Sequence, residues 1–230
     1  MELITSYEEG KSVFGEDASG VYGMSTLLKF LFANGAGAVK AVAVGKDESE
    51  EKDYASAFAA LSDEEDVGVM VCDSAAQSVH LLLKTAAEDA SAARRERIAV
   101  IGGSEETVAQ MVNRAKAVNS ERVVLVGPDI ASDDGGTMSA VFAAAAVAAV
   151  IAGNTDPSVP INGAELTLFG AAGKRLSDNE IDQLVRGGVT PIETVGGVSS
   201  PVRGITTKTS SGGAADTTWR ELTTILIVDE

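Results

Sequence analysis

Arg97-Ile98-Ala99-Val100-Ile101-Gly102-Gly103-Ser104 is an apolar run that stops at a glycine turn and leads into a helical pattern. Val108, Met111, Val112, Ala115 and Val118 follow at three- and four-residue spacing, the buried stripe of an amphipathic helix. Ser104 is the expected N-cap, with Glu105 and Glu106 at the positive helix end. Arg122 to Val126 is a second apolar run, closed by Gly127-Pro128-Asp129. Strands apolar on both faces, joined through a helix, define a parallel sheet with helices on each side. Each crossover is then right-handed.

The same alternation extends in both directions. Towards the N-terminus lie a strand at Val67–Cys72, a helix carrying Val79, Leu82 and Leu83, and a helix carrying Tyr54, Phe58 and Leu61. Before these come a strand at Ala38–Val44 and a helix with Met24, Leu27, Leu28 and Leu31 that ends at Asn34-Gly35. Glu2–Thr5 reads as a strand, and Ser6 with Glu9 as a capping box for a short helix to Phe14. Towards the C-terminus, Thr137–Gly153 is an alanine-rich helix without a polar face, expected to be buried all round. The predicted class is α/β: a mostly parallel sheet covered by helices over residues 1–157, followed by a smaller α+β unit over 158–230. In that unit Glu165–Phe169, Val189–Val195, Val198–Thr207 and Leu222–Val228 read as strands, and Ser210–Ala215 as a loop. Ser177 and Glu180 cap the helix that Gly187-Gly188 ends.

Composition removes several function classes. Among 230 residues, Asp and Glu number 34 against 18 Lys and Arg, a net charge of −16. Such a chain lacks the cationic surface that nucleic acid or an anionic membrane requires. The apolar run Met138–Ala152 is mostly alanine and shorter than the roughly 20 residues of a membrane span. Met1 to Glu9 does not read as a secretory leader. A single cysteine, Cys72, and a single histidine, His80, leave no basis for a disulfide framework or a His/Cys zinc site. Like charge also opposes casual self-association, so the isolated chain is expected to be a monomer or weak dimer.

Few residues invite chemistry. Asp73 and Asp129 fall at predicted strand C-termini, where open α/β sheets bind ligands, and Gly102-Gly103 opens a helix whose amides could hold an anion. The alternative for these residues is turn formation and helix capping. A triad through His80 would need a located nucleophile, and no GxSxG elbow is present. Cys72 reads as a core residue. The acidic runs Asp47–Glu51 and Asp63–Asp66 read as solvated loops, or as patches for a basic partner. No catalytic, metal or cofactor residue is assigned.

In order along the chain stand Thr5-Ser6 with Glu9 and Phe14-Gly15, a helix through Leu27–Phe32, Asn34-Gly35-Ala36-Gly37, and a strand rich in valine at Val39–Val44. Later come Leu176, Glu180 and Leu184 with Gly188-Val189, then Gly204-Ile205-Thr206-Thr207-Lys208-Thr209, then Trp219 to Asp229. This series resembles the contractile tail sheath proteins of phages and related contractile machines. The usual arginine of the last segment is replaced near Leu226. The resemblance implies a subtilisin-like sheath core without protease chemistry. It implies a structural, non-enzymatic subunit made in a host bacterial cytoplasm and placed in the virion tail. There it would pack with other copies of itself into stacked rings around a tail tube protein. Family members carry segments before and after this region, whose extended arms add strands to neighbouring subunits, so this chain is expected to be a core without its arms. Leu222, Thr223, Thr224, Ile225, Leu226, Ile227 and Val228 are then the expected inter-subunit exchange strand.

Overall fold

In the computed structural model residues 1–18, 20–44, 50–132, 135–167 and 175–229 are described. The chain opens with β1 (Glu2–Ile4), α1 (Tyr7–Phe14), α2 (Met24–Ala33), β2 (Val39–Ala41) and α3 (Glu50–Ala60). The alternation continues with β3 (Val69–Val71), α4 (Gln77–Ala92), β4 (Ile98–Gly102), α5 (Val108–Val118) and β5 (Val123–Gly127). A ribbon of β6 (Ile130–Ala131) and β7 (Thr137–Met138) precedes α6 (Ala140–Gly153). Then follow α7 (Asp178–Arg186), β8 (Val189–Val195), β9 (Val198–Pro201), the ribbon β10 (Ser210–Ser211) and β11 (Ala214–Ala215), and α8 (Leu222–Asp229).

The central sheet has the order β3-β4-β5-β8-β9; its first four strands are parallel and β9 is antiparallel to β8. Side chains alternate across it as the pleat requires. Ile98, Val100, Val124 and Val126 point to the layer of α2 and α6, while Ala99, Ile101, Val123 and Leu125 point to the layer holding Val79, Leu83, Met111, Ala115 and Leu184. This two-sided burial is why β4 and β5 read as continuous apolar runs. α6 is the most enclosed helix: Ala143, Ala144, Ala145, Ala146 and Val147 have no exposed surface. Small side chains let it lie directly against the sheet.

Several local signals act as expected. Ser6 caps α1 through the Glu9 amide, and Ser177 and Glu180 form a reciprocal capping box on α7. Other expectations are corrected. The N-cap of α5 is Thr107, not Ser104: Thr107 Oγ1 accepts from the Gln110 amide and the Gln110 side chain accepts from the Thr107 amide. Glu105 takes a positive φ of 55°, which turns the chain once more before the helix begins. Residues 137–138 are strand, and α6 starts at Ala140 behind the N-cap Ser139. The strand expected over Val198–Thr207 stops at Pro201, because Gly204 to Thr207 turn away to bond Arg220, Val123 and Asn162. The Ser210–Ala215 loop is a short antiparallel ribbon. Of Glu165–Phe169, Leu166 makes a single bridge to Ser199, and Phe169 lies outside the described residues. The unit expected from residue 158 onward contributes α7, β8 and β9 to the same central sheet as the first.

The largest correction is at the last element. Leu222–Val228 is not a strand but most of helix α8. Its β-branched residues favour strands only weakly, and tertiary packing overrides that preference. Leu222 and Ile225, one turn apart, are buried, Leu226 packs on the core beside them, and Arg122 binds the carboxylate of Asp229 at the far end.

One buried cation shapes the sheet's second face. Arg97 is 1% exposed and donates to the carbonyls of Leu61 at 3.0 Å, Ser62 at 3.3 Å and Glu64 at 2.5 Å. These oxygens follow the C-terminus of α3, so the guanidinium fork fastens that helix end to the start of β4.

Candidate functional site at the carboxyl edge of the sheet

The residues that invited a ligand meet at the C-terminal ends of β3, β4 and β5, and each is already engaged. Asp129 Oδ1 accepts from the Ala140 amide at 2.9 Å and Oδ2 from the Glu105 amide at 2.6 Å. It thus caps α6 and fixes the turn after β4. Ser139 donates to the Gly103 carbonyl at 2.7 Å and accepts from the Val141 amide at 3.2 Å. The amino end of α6 therefore sits on the Gly102-Gly103 turn, where an anion would otherwise lie. A Cβ on Gly102 would stand 2.2 Å from the Ala140 carbonyl atoms, so glycine is needed for this approach. Asp73 receives the Tyr54 hydroxyl, and burial together with that carboxylate pushes the tyrosine's pKa up.

His80 is fully buried. Its Nδ1 lies 3.1 Å from Arg114 Nη1, and since arginine only donates, Nδ1 is the acceptor. Nε2 then carries the proton and donates to the Ser74 carbonyl at 2.8 Å. Arg114 in turn binds Glu106 Oε1 at 2.8 Å. The chain Ser74–His80–Arg114–Glu106 ties the loop after β3 to α5 and to the turn after β4. No hydroxyl or carboxylate meets the imidazole, so Asp73 and His80 do not form a dyad. Burial, reinforced by Arg114, lowers the His80 pKa to about 4 despite the bond to Ser74. Cys72 ends β3 in the apolar layer, and burial pushes its thiol up to about 12, leaving it protonated and unreactive. Among the described residues no three His, Cys, Asp or Glu side chains gather as metal ligands.

The His80 environment sets a pH dependence. Its folded-state pKa lies below the unfolded value of 6.5, so the unfolded chain binds the proton more readily. Stability is then constant above pH 6.5 and falls as pH drops towards 4. Between pH 6.5 and 5, before most carboxylates titrate, the loss is expected to be about 2 kcal/mol. Urea melts at both pH values check this, and His80→Gln should remove most of the difference. An unchanged difference in that variant would assign the acid sensitivity elsewhere.

The family model of the phage tail sheath protein central domain matches residues 47–207. That is well over half of the chain. The chain belongs to the phage tail sheath family. Solved sheath structures share its fold. The helical sheath of the anti-feeding prophage in its contracted state aligns with a TM-score of 0.67 and 13% identity, over 99% of this chain and 61% of that one. The contracted sheath of an extracellular contractile injection system aligns with a TM-score of 0.68 and 14% identity, over 99% and 60%. The sheath tail protein of Desulfitobacterium hafniense aligns with a TM-score of 0.65 and 14% identity, over 84% and 44%. The chain thus spans roughly half of the length of these sheath proteins. No curated protein matches the sequence.

For this sheath chain the carboxyl-edge residues are joints between α6, α5 and the sheet. Sequence reading placed Asp73, Gly102 and Asp129 at strand ends correctly and left open which of two jobs they perform. It did not single out Arg97, Arg114 and Glu106 as parts of the scaffold. Thr107 with Gln110 was legible as a capping pair, but Ser104 stood nearer the glycines. Residues 222–228 expose Ile227 (51%) and Val228 (62%) on an otherwise packed helix.

Proposed function

We propose that this chain is the rigid α/β core of a contractile sheath subunit, which packs with other copies around a tail tube in a virion tail and moves as a unit when the sheath shortens. The observation that carries the reading is the sheath-domain match over residues 47–207, together with a fold that aligns over 99% of the chain with two contracted sheaths. The enclosed α6 and the engaged edge residues support a body that keeps its shape under load, with no catalytic step. The exposed side of α8 supports a contact with a neighbour. Residues 222–228 would then serve as a helical contact and not as an exchanged strand.

The test is co-expression with the tube protein of the same contractile system, followed by electron microscopy. Tubes or stacked rings are expected, while light scattering of the chain alone gives a monomer or weak dimer because of its −16 charge. Replacing Ile227 and Val228 together by Asp should abolish tubes without lowering the melting temperature, since both side chains are exposed in the single chain. Absence of any ordered assembly with the tube protein present would sink the reading.

A further inference from the structure

The strongest unexplained feature lies along the outer edge of β3. This strand pairs with β4 on one side only. Yet it is covered on both faces like an interior strand: Val69 and Val71 pack into the α2/α6 layer, Met70 and Cys72 into the layer of α3 and α4. On the far side stands β2, whose single partner is β1. Between the two lies a cavity of about 430 Å³, lined by residues of both strands and by Leu31, Phe58 and Ala149, with no residue of β4 among its walls. The cavity is therefore bounded by two unpaired strand edges, each of which presents alternating N–H and C=O groups.

The walls are held apart at a set distance. Lys40 on β2 reaches the carboxylates of Glu64 and Asp66, on the segment that leads into β3. Donors and acceptors that repeat along two facing lines are matched by a backbone with the same repeat. A helix has used its own N–H and C=O groups, and a compact ligand meets one or two of them. Above and below the gap the layers are apolar, so the occupant must be apolar and uncharged on both faces. Among the described residues every strand already has a partner: β1 with β2, β6 with β7, β8 with β9, β10 with β11.

We propose that the gap between β2 and β3 receives an extended, apolar segment of another polypeptide, inserted as a strand that joins the β1–β2 ribbon to the central sheet. Main-chain hydrogen bonds to both edges would hold it, and small or β-branched side chains would fill the two layers. The inference rests on the topology of this chain and does not depend on the sheath reading.

The test uses the isolated chain, so its failure leaves the assembly experiment untouched. The probe is the capped peptide Gly-Ala-Val-Lys-Ala-Val-Ala-Val, a copy of residues 37–44, titrated into isotope-labelled protein. Saturable binding is expected, with amide exchange at Val39–Ala41 and Val69–Val71 slowed at least tenfold. The same peptide N-methylated at alternate residues keeps its charge and side chains, and should bind at least tenfold more weakly. Val42→Glu, in the cavity wall, should abolish binding; should that variant fail to fold, the N-methylated peptide decides alone. No binding at millimolar peptide overturns the proposal, and so does equal binding of the methylated form. An apolar dye that shifts the same amides where the peptide does not would assign the cavity to a small ligand instead.

Discussion

Ala145→Glu is expected to abolish the folded state. Ala145 has no exposed surface and sits mid-way along α6, between fully buried Ala144 and Ala146. A carboxylate there has no water and, on a helix of Ala, Val, Phe and Ile, no donor to receive from its own element. It would fold only by taking up a proton, and the larger side chain would still have to displace the sheet. The two costs together come to about 5 kcal/mol or more, while a domain is stable by about 5–15 kcal/mol in total. Circular dichroism and size-exclusion should show an unfolded or aggregated chain. Ala145→Gly, which costs about 1 kcal/mol in helix propensity, should remain folded and serves as the control. A melting temperature unchanged by Ala145→Glu would place α6 at the surface and break the architecture.

Gly102→Ala is expected to have the next largest effect. Its methyl group would meet the Ala140 carbonyl atoms at 2.2 Å and the Val141 nitrogen at 2.4 Å. These are backbone atoms at the capped start of α6, so no side chain can rotate away. Either α6 lifts from the sheet or β4 bends, and the hydrogen bonds of Asp129 and Ser139 to that helix end lengthen. A cost of about 3 kcal/mol is expected, which lowers the melting temperature by roughly 6–12 °C in a chain of this size. Gly68→Ala, at a position with nothing within 4 Å of the added methyl, should leave the melt almost unchanged. Equal melts for the two variants would show that α6 does not press on the β4 turn.

By itself the sequence determined those parts of the protein whose causes lie within one element. The apolar runs Ile98–Ile101 and Val123–Val126 are strands because every side chain in them meets a helical layer. Ser177 and Glu180 mark a helix start because the capping box closes within four residues. The all-round burial of α6 follows from its lack of a polar face. The resemblance to sheath proteins was also legible, since ordered short motifs survive where overall identity to solved sheaths has fallen to 13–14%. Only the tertiary structure decided the rest, because those choices depend on groups far apart in the chain. Leu222–Val228 carries strand-forming residues, yet Arg122 holds one end through Asp229 and the Gly204 carbonyl holds the other through the Leu222 amide, so the segment coils to bury Leu222 and Ile225. Asp129 suited a ligand site and a cap equally well until α6 brought the Ala140 amide within 2.9 Å. The pairing of β8 with β5, across the expected boundary at residue 157, followed from a β5 edge that only the folded sheet leaves open. Local hydrogen bonds and side-chain periodicity are written in adjacent residues; which strand lies beside which, and what a carboxylate meets there, is settled by packing across the whole chain.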